Sequence, residues 1–208
     1  MILIKFASDG IPSIFGAVLI TGIFMFIHPL PAVAMCFVTA LVIWFYRDPE
    51  REVPSEPGLF VSPADGKIIE IEPASHEFTG ESLKIGIFMN AFSVHVNRAP
   101  CDGTIEYMNY APGKKIAAFS PKASEVNERF YVGLDTPHGA VLLVQIAGLL
   151  ARRIVCRRRA GENLKRGERY GMIKLGSKVD VYLPKNVAVK VKPGDKVLAG
   201  KSVIAGME

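Results

Sequence analysis

An uncharged stretch of 36 residues near the N-terminus limits most strongly how this chain can fold. Residues 11–46 contain no Asp, Glu, Lys or Arg, and His28-Pro29-Leu30-Pro31 interrupts them. The two halves, residues 11–27 and 31–46, are 17 and 16 residues long. A membrane-spanning helix needs about 20 apolar residues, and about 17 is close to the lower limit. The pattern predicts an N-terminal hydrophobic α-helical membrane hairpin over residues 1–46, either two short spans or a re-entrant pair.

The residues that flank this stretch predict its orientation. Trp44 and Tyr46 suit the membrane interface, and Arg47 directly after them suits a cytoplasmic flank. Lys5 places positive charge at the other end of the hairpin as well. We therefore expect a protein of the cell membrane with both termini, and the rest of the chain, on the cytoplasmic side.

A cleaved signal peptide is the competing interpretation of the same residues. Ala32-Val33-Ala34 would be its small-residue cleavage site. Lys5 would then be the only basic residue of the positively charged segment, and a second apolar run follows the site. Both features favour the hairpin.

After a charged, proline-rich linker, residues 47–208 have the pattern of a β protein. Short apolar runs alternate with turns about every 8–12 residues, which is typical of an all-β sandwich or barrel. The longest run, residues 140–150, is expected to form a buried strand that continues into residues 154–156. Val61-Ser-Pro-Ala-Asp-Gly-Lys-Ile68 and the Gly-Asp-x-Val-x-x-Gly pattern of residues 194–200 resemble the opposed hairpins of barrel-sandwich hybrid domains. The sequence thus predicts a mainly β, barrel-sandwich-hybrid-like domain after the anchor.

Positive charge is concentrated in residues 151–169. This segment has eight basic and two acidic residues, a surplus of 8 − 2 = 6, whereas the whole chain has a net charge of +5. Beside a membrane anchor, such a cluster favours binding to anionic lipid headgroups. A solvated basic face and a nucleic-acid surface stay open, although no aromatic interleaving supports nucleic acid as a partner. The residues predicted to contact the membrane are Arg152, Arg153, Arg157, Arg158 and Arg159.

The three cysteines predict neither a disulfide framework nor a metal site. Cys36, Cys101 and Cys156 are scattered, and none has metal-ligand spacing. The odd number suits free thiols in a reducing compartment. We predict no bound metal.

A Gly-Ser pair in Leu175-Gly176-Ser177 is a candidate self-cleavage site. Glycine leaves its carbonyl sterically open, and the Ser177 hydroxyl can attack the Gly176 carbonyl to convert the amide into an ester. Elimination and hydrolysis would then leave a pyruvoyl group in place of Ser177. Gly-Ser is also a common turn pair, so the tripeptide alone is weak support.

Serine needs a base for this attack, and a carboxylate–histidine pair would supply one. Asp65 and His95 are the candidates, because each lies in a turn-like segment that could converge on residues 176–177. Asp65 could instead only form its turn, and His95 could be a buried strand histidine.

Taken in order, five features resemble the phosphatidylserine decarboxylase family in its compact bacterial and archaeal form. They are the apolar hairpin, Arg47-Asp-Pro-Glu-Arg51, Ser62-Pro-Ala-Asp-Gly66, His95-Val-Asn-Arg-Ala-Pro100 and Leu175-Gly176-Ser177. The resemblance covers nearly the whole chain. It implies self-cleavage between Gly176 and Ser177 and a covalent pyruvoyl cofactor derived from Ser177. Phosphatidylserine would form a Schiff base with that group and lose CO2 to give phosphatidylethanolamine.

The resemblance also implies chains and residue roles. The products would be a β chain to residue 176 and an α chain of residues 177–208, associated as a heterodimer, with further oligomerisation left open. Asp65 matches the aspartate of the family's self-processing relay, and His95 matches the first histidine of its His-x-x-His-x-Pro segment. The second histidine is Arg98 here, so either His95 serves both steps or another base acts. Arg98 could hold a substrate carboxylate or phosphate.

Three alternatives stay open at the level of sequence. A barrel-sandwich carrier or binding module would carry a modified lysine beside a methionine at a hairpin tip, and no such pair is seen. A self-processing membrane peptidase would keep its serine after maturation. Another serine phospholipid, such as archaetidylserine, could be the substrate, because the apolar surface that contacts the lipid tails is not defined by the sequence.

Overall fold

The chain divides into two compact units in the computed structural model, which describes residues 5–120, 122–149, 153–174 and 176–207. The units are Met1–Glu50 and Arg51–Glu208. The sequence predicted a division at residue 46, four residues earlier than this boundary.

The first unit is a pair of apolar helices. A 3-10 turn at Ser8–Gly10 leads into α1 (Ile11–Ile27), and α2 (Pro29–Phe45) follows. His28 separates them because it is extended, and its Nδ1 accepts a hydrogen bond from the Leu30 amide at the start of α2. Two short strands, β1 (Lys5–Phe6) and β2 (Arg47–Asp48), pair antiparallel at the open end.

Polar contacts between the two helices are made by threonines. The Thr21 and Thr39 hydroxyls lie 2.8 Å apart, and Thr21 also donates to the Ala17 carbonyl. Apolar side chains such as Phe15 and Phe26 are exposed. One helix, Ser8–Ile27, is long and apolar enough to cross a membrane by length and composition, and α2 is shorter. This finding is compatible with membrane association.

The second unit is built from strands, which confirms the mainly β fold class, with 43% of the described residues of both units in strands and 21% in helices. Its helix α3 is one short turn at Ala123–Val126. The large sheet has the order β11-β7-β8-β9-β13-β5-β4-β15. Its members are β4 (Gly66–His76), β5 (Gly80–Met89), β7 (Gly103–Ala111), β8 (Arg129–Asp135), β9 (Val141–Ala147), β11 (Asn163–Leu164), β13 (Ser177–Pro184) and β15 (Lys196–Val197).

Two three-stranded sheets complete this unit. One has the order β10-β12-β6 and the other β14-β16-β3. Their strands are β3 (Leu59–Val61), β6 (Val96–Arg98), β10 (Arg153–Cys156), β12 (Arg169–Lys174), β14 (Val187–Val189) and β16 (Val203–Met207). The expectation that the run at residues 140–150 continues into residues 154–156 is wrong. β9 ends at Ala147, and β10 belongs to a different sheet. Gly148, which follows β9, packs against the backbone carbonyl of Gly176.

Strand register brings several chain segments to one end of the large sheet, which we name the Ser177 end. Ser177, the first residue of β13, pairs with Met89, the last residue of β5, and with Ala147, the last residue of β9. β4 begins at the same end, since Lys67 pairs with Phe88. The end of β7 and the start of β8 also lie there, because Ala111 pairs with Arg129 and Arg129 with Ile146.

The side chains of β13 alternate between two faces, as in any strand. Val179, Val181 and Leu183 pack into the main core of buried aliphatic side chains. Tyr182 packs on a smaller apolar cluster on the other side of the sheet. Lys178 and Asp180 share that second side by alternation, so β13 carries charged groups into a buried layer.

Candidate active site

Ser177 lies at the Ser177 end with its side chain fully buried. Its main chain is held on both sides, by Met89 of β5 and by Ala147 of β9. Its hydroxyl donates to the Met89 thioether sulfur at 3.6 Å, a weak acceptor. Among the described residues, the candidate nucleophile therefore has a fixed backbone and a hydroxyl with only a weak hydrogen-bond acceptor.

Gly176, the residue before the candidate scissile bond, has a left-handed backbone conformation and a glycine as its neighbour in space. Its φ is +55°, in the left-handed region that glycine adopts without steric cost. Its carbonyl lies against Gly148, where an added Cβ would stand 2.0 Å from the Gly176 oxygen. Both positions therefore need glycine, one for conformation and the other for close approach.

A chain of buried polar groups runs away from Ser177. The Asn97 side-chain nitrogen Nδ2 donates to the Met89 sulfur at 3.8 Å, and the Gln145 side-chain nitrogen Nε2 donates to the Asn97 side-chain oxygen Oδ1 at 2.8 Å. Sequence reasoning missed all three residues. A signal was present, because Gln145 is the only polar side chain in the apolar run of residues 140–150 and Asn97 lies in the His95 motif.

His95 is fully buried directly before β6. Its Nδ1 lies 2.9 Å from the Ser93 carbonyl oxygen. A carbonyl can only accept, so a neutral His95 carries its proton on Nδ1 and keeps the lone pair of a base on Nε2. Its own carbonyl accepts a hydrogen bond from the Ile173 amide. This bond ties His95 to β12, the strand that leads to Gly176.

Asp65 precedes β4 at the same end of the sheet and is almost fully buried. Its two oxygens accept hydrogen bonds from Arg51 at 2.8 Å and from the Ala199 amide at 2.7 Å. Sequence reasoning took Arg51 only as part of a motif, whereas the structure makes it the ion-pair partner of Asp65. The structure thus brings Asp65, His95 and Ser177 to one end, with Asp65 held by an arginine.

Arg98 is buried in β6. Its guanidinium donates to the Gly167 carbonyl at 3.0 Å, and a Cβ at Gly200 would lie 2.9 Å from its Cδ. Its amide donates to the Pro63 carbonyl beside Asp65. These contacts make Arg98 part of the support of the Asp65 turn, and its contact with substrate stays a prediction.

Lys178, directly after Ser177, centres a buried charged cluster that sequence reasoning left without a role. Its ammonium donates to Glu70 and to the Ser124 hydroxyl, and it lies 3.0 Å from Asp180. Burial by itself raises the pKa of Glu70, but the bonds and charges of Lys178 and Lys84 outweigh it and leave that pKa below its usual value. Burial raises the pKa of Asp180, and Lys178 opposes this only in part.

The predicted basic cluster separates into different places. Arg153 is exposed at the start of β10, where it pairs with Lys174, close to Gly176. Arg157 and Arg159 are exposed after the far end of that strand. Arg158, between them, forms ion pairs with Glu162 and Glu168 and donates a hydrogen bond to the Arg169 carbonyl. Arg152 lies outside the described residues.

Comparison with known proteins gives a consistent result. The family model described as phosphatidylserine decarboxylase matches residues 38–205. A protein of Oleidesulfovibrio alaskensis named phosphatidylserine decarboxylase proenzyme is 52% identical over 177 residues, covering 82% of this chain and 81% of its own. Proteins of the same name from Chlorobium phaeobacteroides and Nitratidesulfovibrio vulgaris are each 46% identical, covering 85% and 97% of this chain and 84% and 94% of their own.

Proposed function

The chain belongs to the phosphatidylserine decarboxylase family of pyruvoyl-dependent enzymes, and on that premise we propose that it cleaves itself between Gly176 and Ser177 and decarboxylates phosphatidylserine to phosphatidylethanolamine. The observation that carries this proposal is the placement of Ser177. It is buried, fixed on both sides by strands, and preceded by a left-handed glycine whose carbonyl is packed against Gly148. The names of the relatives favour phosphatidylserine over another serine phospholipid.

Self-cleavage follows from the atoms at this bond. The Ser177 oxygen bonds to the Gly176 carbonyl carbon as the C–N bond breaks, so the amide becomes an ester and the Ser177 nitrogen gains a proton. Loss of the Ser177 Cα proton then breaks the Cβ–O bond and releases Gly176 as a carboxylate. Water hydrolyses the remaining enamine through its imine, which releases ammonia and leaves a ketone at the α-chain terminus.

His95 is the residue best suited to move the proton. Its Nε2 carries the lone pair of the neutral ring, because the Ser93 carbonyl fixes the proton on Nδ1. Burial of the ring keeps bulk water from competing for that lone pair. His95 would serve both the self-cleavage and the later protonation, since position 98 is an arginine that supports the Asp65 turn.

Asp65 acts through position and charge. Arg51 and the Ala199 amide occupy its oxygens, so its turn is fixed to the linker on one side and to residue 199 on the other. In this role Asp65 orients the Ser177 end, and its charge holds Arg51 in place.

The residues around Ser177 fit a pyruvoyl group because the group forms from Ser177 itself, in a buried place lined by the Met89 thioether and backed by the Asn97 amide. When formed, its ketone supplies the electron sink that decarboxylation of an amino acid requires. The surrounding chain excludes water from it, since Ser177, His95 and Asn97 are all fully buried.

The apolar helices of the first unit suit an anchor that keeps this chemistry at a membrane. Ser8–Ile27 is long and apolar enough to span, and α2 has no charged residue. With both termini on the cytoplasmic side, the enzyme would act on phosphatidylserine in the inner leaflet. The mature protein would be a heterodimer of residues 1–176 and 177–208.

Intact mass under denaturing conditions tests the proposal. The wild-type protein should give two chains split after Gly176, with the smaller one lighter than its encoded sequence by one NH3. Ser177→Ala should give one chain without activity, His95→Ala should cleave more slowly, and Ser75→Ala, an exposed control on β4, should behave like wild type. Two chains from Ser177→Ala would contradict the mechanism.

A further inference from the structure

Three large apolar side chains protrude into solvent at the Ser177 end. Phe92, Phe119 and Leu149 are 71%, 66% and 67% exposed. Phe92 follows Met89 by three residues and Leu149 follows Ala147 by two, so both sit just beyond the residues that pair with Ser177. The Phe119 ring lies edge-on to Phe88, with ring centroids 5.9 Å apart. Exposed apolar residues that converge at one place mark an interaction surface.

The loops that carry these side chains, with residues 174–176 beside them, have a surplus of positive charge. Residues 90–95, 112–128, 148–153 and 174–176 contain two acidic residues, Glu125 and Glu128, and six basic residues, which are Lys114, Lys115, Lys122, Arg152, Arg153 and Lys174. Lys114, Lys115, Lys122 and Arg153 are exposed. The Lys115 ammonium lies 3.2 Å from the Glu128 carboxylate. Apolar tips within a basic surround are the pattern of a surface that enters an anionic membrane interface.

The opposite end of the sheet has a different character. The turn between β4 and β5 carries Glu77, and the turn between β8 and β9 begins after Asp135, both of which are exposed. The large aromatic ring in the first turn, Phe78, is partly buried and stacks on Tyr107. The basic and apolar combination is therefore a property of the Ser177 end and not of strand ends in general.

We propose that the loops of the Ser177 end form a membrane-docking surface that inserts Phe92, Phe119 and Leu149 into an anionic bilayer, with the surrounding lysines and Arg153 on the headgroups. The proposal rests on the proposed function, because a lipid substrate must reach Ser177 from the bilayer. The charge pattern selects a lipid surface over a second copy of the chain, since two such basic surfaces would repel. Arg157 and Arg159 follow the far end of β10 and are not part of this surface.

Fluorescence quenching by lipid tests the docking directly in the full-length protein. Trp44 is the only tryptophan, so Trp44→Phe gives a background without tryptophan emission. In that background, Phe119→Trp in vesicles that contain brominated anionic lipid should be quenched several-fold more than Ser75→Trp, an exposed control towards the opposite end of β4. Equal quenching would overturn the proposal. A blue-shifted but unquenched Phe119→Trp would also overturn it, because protein would then cover the loop.

Activity on two physical forms of the substrate gives a second test. The triple variant Phe92→Ser, Phe119→Ser, Leu149→Ser should raise KM for phosphatidylserine in vesicles by roughly tenfold, since it removes most of the inserted apolar area. Its kcat/KM for a short-chain, monomeric phosphatidylserine should match that of wild type. The variant Phe92→Leu, Phe119→Leu keeps apolar tips and should retain vesicle activity. Equal loss on both substrates would contradict docking, whereas a wild type inactive on both would count against the proposed function and leave the quenching test intact.

Discussion

At the scale of single residues, two glycines fix the geometry of the candidate scissile bond. Gly176 supplies the left-handed turn before β13, and Gly148 lets the backbone after β9 approach the Gly176 carbonyl. A carbonyl held against a packed backbone cannot rotate freely, so the face it presents to the Ser177 hydroxyl is set by packing. Positioning of this kind contributes strongly to rate, because misplacement by about 1 Å can cost about 100-fold.

We therefore expect Gly148→Ala to slow self-cleavage by about 100-fold. The new Cβ would stand 2.0 Å from the Gly176 oxygen, and real contacts begin near 3.0 Å, so the two segments must separate by about 1 Å. The fraction of cleaved chain against time, measured by intact mass, reports the rate. Gly22→Ala is the matched control, since a Cβ there meets nothing within 4 Å. Wild-type cleavage in a folded Gly148→Ala protein would show that the contact has no positioning role.

At the scale of elements, the Lys178 cluster joins three parts of the second unit. Lys178 of β13 binds Glu70 of β4 and Ser124 of α3, and Ser124 in turn donates to Asp180 at 2.9 Å. Next to it, Asn127 bonds both the Ile116 backbone and the Ala147 carbonyl, which pins the loop that follows β7 to the end of β9. The loop that bears Phe119 is therefore anchored at two places, to β13, which begins with Ser177, and to β9 beside it.

Removing the ammonium from this cluster should be costly. Lys178→Met leaves Asp180 without its ion-pair partner and leaves Glu70 with Lys84 alone, and breaking a buried ion pair typically costs about 3–5 kcal/mol. Denaturant unfolding in the Ser177→Ala background, where the chain should stay intact, measures that loss. Lys185→Met, which removes an exposed ion pair with Glu81, should leave the midpoint unchanged. A Lys178→Met midpoint equal to that of the control would mean that the cluster adds no stability.

At the scale of the whole molecule, the segment after the candidate cleavage site is central and not peripheral. Residues 177–207 supply β13 in the middle of the large sheet, β15 at its edge, and two of the three strands of the β14-β16-β3 sheet. β13 is paired with β5 along its whole length and with β9 over residues 177–182. Val179, Val181 and Leu183 are also part of the main core. Cleavage would cut one loop and leave all of these interactions in place.

We therefore expect the two chains of the mature protein to stay together after cleavage. Size-exclusion chromatography in a mild detergent, followed by denaturing mass spectrometry of each fraction, should find residues 1–176 and 177–208 in the same peak. The chains should separate only after denaturant has opened the sheet. A native fraction that contains the long chain without the short one would contradict this expectation.

The sequence by itself determined the features that depend on local composition and order. An uncharged stretch is apolar wherever it lies, so two helices could be anticipated at residues 11–27 and 31–46, with a break at His28-Pro29-Leu30-Pro31. The second helix begins earlier, at Pro29, because proline is tolerated in the first turn of a helix. Short apolar runs that alternate with turns predicted the mainly β class, because this pattern too is local in the sequence. The order of the motifs pointed to the family, which the comparisons established.

Only the tertiary structure decided which residues meet. Arg51 reaches Asp65, Lys178 reaches Glu70, and Gly148 touches Gly176 because strand register places them together, and register depends on pairing across the whole sheet. The apolar run at residues 140–150 illustrates the limit. Its composition suits a strand throughout, yet the strand ends at Ala147, where the chain turns beside the Gly176 carbonyl. Local pattern sets which elements form, whereas long-range packing sets where they stop and what they face.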